Sequence, residues 1–187
     1  TFGVKSPQNG PLVEPWNPEE EIYNSIEYFI RVREAVGRDV GIIYDLHERF
    51  SPDQAIRIMR SLELYNPFFI EDPIAPDCVD SLRYVREKTS VPIAFGELYK
   101  SRWECLPAIT GHWVDYIRCD VIRVGGITEA RKIASLAETY DIKTAWHGPN
   151  DVSPITHAVN WHLNVSEYNF GIQEDGTTDG LIHEVVS

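Results

Sequence analysis

The sequence predicts an α/β chain that forms most of a (β/α)8-type barrel. Three observations lead there. Short apolar runs recur at an interval of 26 or 27 residues, and each run ends on a chemically active side chain. Between the runs lie stretches with helix-start signals and apolar residues at helical spacing, so strand and helix alternate along the chain.

The first 18 residues are rich in Pro, Gly and Asn and read as an arriving loop. A helix is expected over 19–36, closed by Gly37, and no strand can be placed ahead of it. The first apolar run, Gly-Ile-Ile-Tyr-Asp, ends at Asp45, and the next two, Phe-Phe-Ile-Glu and Pro-Ile-Ala-Phe-Gly-Glu, end at Glu71 and Glu97. Further runs carry Arg118 and Asp120, then His147, then Glu174. The intervening segments 52–65, 77–89, 127–140 and 154–165 have helical spacing, and 101–110 is weaker. Ser51-Pro52 with Gln54 and Ser153-Pro154 each put proline at the first helical position. Six strand-helix units result. A whole barrel takes about 250 residues, and this chain has 187. Residues 1–187 are therefore expected to be a C-terminal barrel piece lacking the first two strands and any preceding domain.

Net charge is −12, with no run of Lys and Arg, which speaks against a nucleic-acid or anionic-membrane partner. Cys78, Cys105 and Cys119 are odd in number and lack metal-ligand spacing, as suits reduced thiols in a cytoplasmic protein. The chain shows no long apolar span, and no signal peptide is expected.

Three carboxylates from three successive strand ends, Asp45, Glu71 and Glu97, make an oxygen-only site suited to Mg²⁺ rather than zinc. In Asp45-Leu46-His47, strand alternation carries His47 to the same face as Asp45, where an imidazole can donate a proton. Asp72 competes with Glu71 as the functional acid, and the equal spacing favours Glu71. Arg118 offers a fork for a carboxylate or hydroxyl, or pairs with a neighbouring acid. Asp120 shares its face by alternation and can orient His147 one strand along. His147 and Asp151 belong to the polar cluster Trp146-His147-Gly148-Pro149-Asn150-Asp151. His112, His157, His162 and His183 are read as surface or satisfied core.

In order and spacing, Asp-x-His, Phe-Ile-Glu-Asp-Pro, Ala-Phe-Gly-Glu, Trp-His-Gly-Pro-x-Asp and Asn-Phe-Gly-Ile-Gln-Glu resemble the mannonate dehydratase family of the enolase superfamily. The resemblance runs from Asp45 to Glu174. It implies a modified (β/α)7β barrel, here strands three to eight, capped in the whole protein by an α+β domain. It also implies Mg²⁺ held by Asp45, Glu71 and Glu97, His47 as general acid, and a sugar-acid site lined by Arg118, His147, Asp151 and Glu174. The implied reaction is a lyase step: dehydration of D-mannonate or D-gluconate to a 2-keto-3-deoxy sugar acid through an enediolate.

The family's proton-abstracting tyrosine, with its arginine partner, has no match in residues 1–40, so the chain alone is expected to be inactive. Asp120 resembles the aspartate of the Asp/His dyad in related racemases. Pro149 falls where family members vary, and proline there goes with members poor at mannonate or preferring gluconate. Two alternatives stay open: a racemase or epimerase using Asp120 and His147, and a catalytically weak regulator that binds a sugar acid. The whole protein is expected to be a cytoplasmic homo-oligomer.

Overall fold

The computed structural model describes residues 17–176; His183 and residues 1–16 of the loop expected over the first 18 lie outside them. Helix α1, Pro18–Val36, begins at Asn17, whose side chain accepts hydrogen bonds from the Glu19 and Glu20 amides. Glu19, Glu20 and Glu21 complement the positive end of the helix dipole. Gly37, at φ +75°, ends the helix in a conformation that costs glycine little.

Five short strands follow: β1 Ile43–Asp45, β2 Phe69–Glu71, β3 Ile93–Phe95, β4 Tyr116–Ile117 and β5 Lys143–Thr144. All pair in parallel and in chain order. Between them lie α2 Pro52–Leu62 with a 3-10 turn Glu63–Tyr65, α3 Val79–Arg86, α4 Arg102–Thr110 and α5 Ile127–Thr139, with α6 Pro154–Ser166 after β5. Each helix packs on the next, α1 on α2 through to α5 on α6. Strands and helices therefore advance around one axis in the same order, as in a barrel wall; a doubly wound sheet would reverse its strand order.

The helices fall where the sequence places them, with α3 shorter than expected. The sixth strand does not form. In its place a single parallel bridge joins Thr144 to Phe170, held by the Thr144 amide on the Asn169 carbonyl and the Gly171 amide on the Thr144 carbonyl. The Asn169 side chain donates to the carbonyls of Ala134 and Ile142. These bonds dock the segment through a polar anchor, with little strand ladder. Five strands and this bridge make an arc of a barrel.

Alternation along the strands decides what faces the interior. Tyr44 packs against Phe29 of α1, with ring centroids 5.7 Å apart, so Ile43 and Asp45 turn to the other face. Asp45 pairs in register with Glu71, and the two side chains stand abreast at adjacent strand ends. The free edge of β1 has no strand partner among the described residues. Val36, Val40 and Ile43 are exposed beside it.

Arg33 ties α1 to this frame. Its guanidinium is buried and donates to four backbone carbonyls, those of Gly37 (2.8 Å), Val40 (2.6 Å), Tyr65 (3.0 Å) and Asn66 (3.1 Å). Leucine would fill similar space but leave those oxygens without their donor. Arg33→Leu is expected to destabilise the intact protein by about 3 kcal/mol, since hydrogen bonds to a charged group contribute about 1.5–3 kcal/mol each and the carbonyls recover some from water. Urea denaturation of the variant against wild type checks this, and an unchanged midpoint would refute it.

Candidate active site

The strand ends open into a cavity of about 200 Å³ lined by Tyr44, Asp45, Glu71, Arg118, Gln173 and Glu174, among others. Arg118, just beyond β4, is 3% exposed. Its Nη2 donates to Glu174 Oε2 at 2.7 Å, and its Nε lies against Glu71 Oε1. Burial alone would lower the arginine pKa, but Glu71 and Glu174 more than offset it and raise it further.

The two carboxylates divide that cation unequally. Glu174 accepts a second bond from the Gly148 amide at 2.8 Å. Burial pushes its pKa up, yet Arg118 and that amide win and hold it below the ordinary carboxylate value. Glu71 is more deeply enclosed, and burial pushes it up to about 7, with Arg118 opposing and Asp45 and Glu174 adding to the rise. One guanidinium thus faces more negative charge than it can balance.

Gly148 can lie so close to Glu174 because it has no side chain: an added Cβ would stand 2.4 Å from the Glu174 carbonyl oxygen. Gly96 plays a similar part ahead of Glu97. At φ +124° it turns the chain out of β3, and a Cβ there would meet Tyr99 at 2.9 Å. Glu97 is thereby delivered between two imidazoles. His47 Nε2 lies 3.9 Å from Oε1, and His147 Nε2 lies 3.4 Å from Oε2.

His147 is fixed from behind. Its Nδ1 is 3.1 Å from Asp120 Oδ2, its amide donates to the Cys119 carbonyl, and its own carbonyl accepts from Asn160 Nδ2. Burial pushes the Asp120 pKa up, but His147 and the amides of Ile122 and Arg123 outweigh it and leave the carboxyl below its usual value. An ionised Asp120 accepts a hydrogen bond from Nδ1–H and leaves Nε2 facing Glu97 and the cavity.

His47 reaches the site by a different path from the one the sequence implies. The strand ends at Asp45, and His47 and Glu48 follow at φ +52° and +63°, so strand alternation no longer governs where they point. The turn is held by the His47 amide on Asp45 Oδ1 at 2.7 Å. Beyond β4 the ladder bonds continue, the Arg118 amide on the Phe95 carbonyl and the His147 amide on the Cys119 carbonyl, so Arg118 and Asp120 keep the common face that alternation predicts, and ion pairs hold both.

Asp151 is exposed, and among the described residues no hydrogen bond or ion pair joins it to this group. His157, by contrast, is fully buried and bonded to the Pro149 carbonyl at 3.1 Å, supporting the loop that carries His147.

Among the described residues, Glu48, Asp72 and Glu97 each place one carboxylate oxygen within 4.8 Å of one from each of the other two. This group shares only Glu97 with the set expected from strand-end spacing. Asp45 is engaged in its own turn and Glu71 is drawn to Arg118, which accounts for the difference. Asp72 is 1% exposed, accepts from the Gly96 amide through Oδ1, and has no partner on Oδ2. Burial, then Glu71 and Glu97, push its pKa well up. Its positive φ of 36° turns it away from the strand direction. Glu48 gives no sequence signal beyond lying next to His47.

Residues 12–186 match the family model of the enolase C-terminal domain-like proteins. A D-galactonate dehydratase family member from Musicola paradisiaca is 41% identical over 170 residues, covering 91% of this chain and 41% of that protein. A D-mannonate dehydratase from a Sphingomonas species is 40% identical over 164 residues, with 88% and 41% covered. Among solved structures, an enolase from Pantoea ananatis with bound D-gluconate and Mg superposes with a TM-score of 0.88 at 40% identity, over 96% of this chain and 43% of that one. The chain thus spans about two fifths of the length of these relatives.

Arg118→Met should expose the charge imbalance directly. Removing one partner of a buried ion pair typically costs about 3–5 kcal/mol, because the carboxylates left behind have lost their counter-ion. The variant of the intact protein is expected to lose about that much at neutral pH and less as the pH falls and Glu71 is protonated. Denaturation curves at several pH values measure it; a loss that does not shrink on acidification would contradict it.

Proposed function

The chain belongs to the enolase C-terminal domain-like family, and from that membership we propose that the whole protein dehydrates a sugar acid with the help of Mg²⁺. The observation that carries this reading is the position of Glu97 between two imidazoles, within a group of carboxylates at parallel strand ends. A hydroxy acid seated in that opening would meet the ion that the carboxylates would hold on one side and the two imidazoles on the others.

The donor set fits a hard divalent ion. Its side chains are carboxylates, and burial, with Asp45 and Glu174 adding to it against the opposing Arg118, raises Glu71 to about 7, which a bound cation would reverse. Asp45, Glu71 and Glu97 would hold the ion. When bound it would supply the positive charge that makes the proton beside a substrate carboxylate easier to remove.

The residues of this chain do the rest. Arg118, between Glu71 and Glu174, anchors the floor of the site and presents its guanidinium to a carboxylate or hydroxyl. His47 is exposed enough to meet substrate and gives its proton to the departing hydroxyl on the carbon next to the one that lost a proton. Water leaves, and the remaining enol rearranges to a 2-keto-3-deoxy acid. The base that takes the first proton would come from a part of the whole protein ahead of β1. That part would pair with the free edge of β1 and cover the apolar strip of Val36, Val40 and Ile43. D-Gluconate and D-mannonate are the substrates we favour, because relatives carry or act on them by name.

A second reading has its own support. The Asp120–His147 contact of 3.1 Å is the arrangement of a histidine used as a base. An epimerase built on it would exchange the substrate's proton with solvent and return an isomer.

Incubation of the intact protein with sugar acids and Mg²⁺ separates the two readings: dehydration yields a keto acid, epimerisation yields only a labelled isomer in heavy water. For the first, His47→Asn is expected to keep metal affinity and lower keto-acid formation by about 10² to 10⁴, the usual worth of a positioned general acid. Undiminished turnover in that variant would remove His47 from the mechanism.

A further inference from the structure

Glu167 has no part in the site just described, yet it is built into the support of His147. It follows the last turn of α6, and its Oε2 accepts from the Trp146 indole Nε1 at 3.2 Å and from Thr144 Oγ1 at 3.3 Å. Trp146 is fully buried and immediately precedes His147 in the chain; Thr144 is the last residue of β5 and is fully buried too. Two donors from the strand that delivers His147 thus meet on one carboxylate oxygen, while Oε1 is buried with no partner.

We propose that Glu167 is a positioning residue, a proton-dependent tether that holds the Trp146 indole and, through it, the backbone of His147. Hydrogen bonds to an ionised acceptor are shorter and about twice as strong as neutral ones. The tether is therefore tight when Glu167 is a carboxylate and slack when it is a carboxylic acid. Asn160 on the His147 carbonyl and Gln173 on the Trp146 carbonyl hold the same backbone from other elements. Asp120, on the His147 ring, is held below the usual carboxylate value, whereas Glu167 is raised and so is the contact placed to change charge.

The charged groups around it set where the change falls. Burial raises the Glu167 pKa most, Glu138 of α5 adds to the rise, and the bonds from Trp146 and Thr144 together with Arg131 of α5 oppose it, leaving it at about 7. A carboxyl raised on folding favours the folded protein while protonated. Its contribution to stability is full below the ordinary carboxylate value of 4.5 and is lost as pH rises through about 7. Tightening of the tether and loss of that contribution fall in the same interval, so the tighter arrangement comes at lower overall stability.

The inference rests on the proposed function only in taking His147 as part of the reacting site. The test is made on the intact protein with nitrogen-15-labelled tryptophan, the Trp146 indole signal being identified by its loss in Trp146→Phe. In wild type that signal is expected to move between pH 5.5 and 8.5 with a midpoint near 7. In Glu167→Gln, which keeps an acceptor oxygen but cannot ionise, it should stay still over the same range. Thr144→Val removes a bond that lowers the pKa, so it should shift the midpoint upward.

Turnover is read in parallel. The rate of Glu167→Gln, which keeps an acceptor for the indole, should exceed that of Glu167→Ala. An indole signal that does not titrate, or titrates alike in wild type and Glu167→Gln, overturns the proposal. If the indole behaves as stated but no sugar acid is turned over, the tether stands and the proposed function falls.

Discussion

The candidate site is organised by one buried cation. Arg118 joins the end of β2, through Glu71, to the segment that carries Glu174, and these lie far apart in the sequence. Glu174 in turn accepts the Gly148 amide, so the same ion pair locates the loop that begins at His147. With little ladder between β5 and the last apolar run, this polar network fixes that segment far more than strand pairing does. A structure held this way at its mouth keeps its acids aligned for chemistry by leaving them short of positive charge. Burial raises Glu71 first, with Arg118 opposing and Asp45 and Glu174 adding to the rise, and one oxygen of the neighbouring Asp72 is buried without a partner.

The periodicity of the chain made the fold legible. A repeat of 26 or 27 residues is one strand plus one helix, and the capping signals at Ser51-Pro52 and Ser153-Pro154 mark helix starts because the chemistry of an exposed helix end is local. The sixth strand was not legible as absent. Phe-Gly-Ile-Gln-Glu alternates well enough, but Gly171 brings its backbone against Tyr116 and Lys143, where an added Cβ would stand 2.7 and 2.9 Å away, and Asn169 anchors it from behind.

Within the site, residue types were readable and directions were not. Asp45 and Glu71 end their strands in register, and alternation predicts their common face. That rule fails once the backbone enters the left-handed region, as it does at His47, Glu48 and Asp72, and non-glycine residues give no strong advance notice of doing so. Glu48 consequently joins Glu97 and Asp72 unannounced, while Asp151 stays in solvent. His157 and Asn160 shared the helical spacing of α6 with ordinary core residues, and only their bonds to the Pro149 and His147 carbonyls reveal that they brace the loop.

Two acid groups therefore compete for a cation at this mouth: Asp45, Glu71 and Glu97 by strand order, and Glu48, Asp72 and Glu97 by proximity. A crystal structure of the intact protein with Mg²⁺ and D-gluconate decides between them. The account predicts an ion bound by Asp45, Glu71 and Glu97 at about 2.0–2.1 Å from their oxygens, with the substrate carboxylate beside it and His47 toward a hydroxyl. An ion held instead by Glu48 and Asp72, or a sugar acid bound away from Glu97 and both histidines, would contradict it.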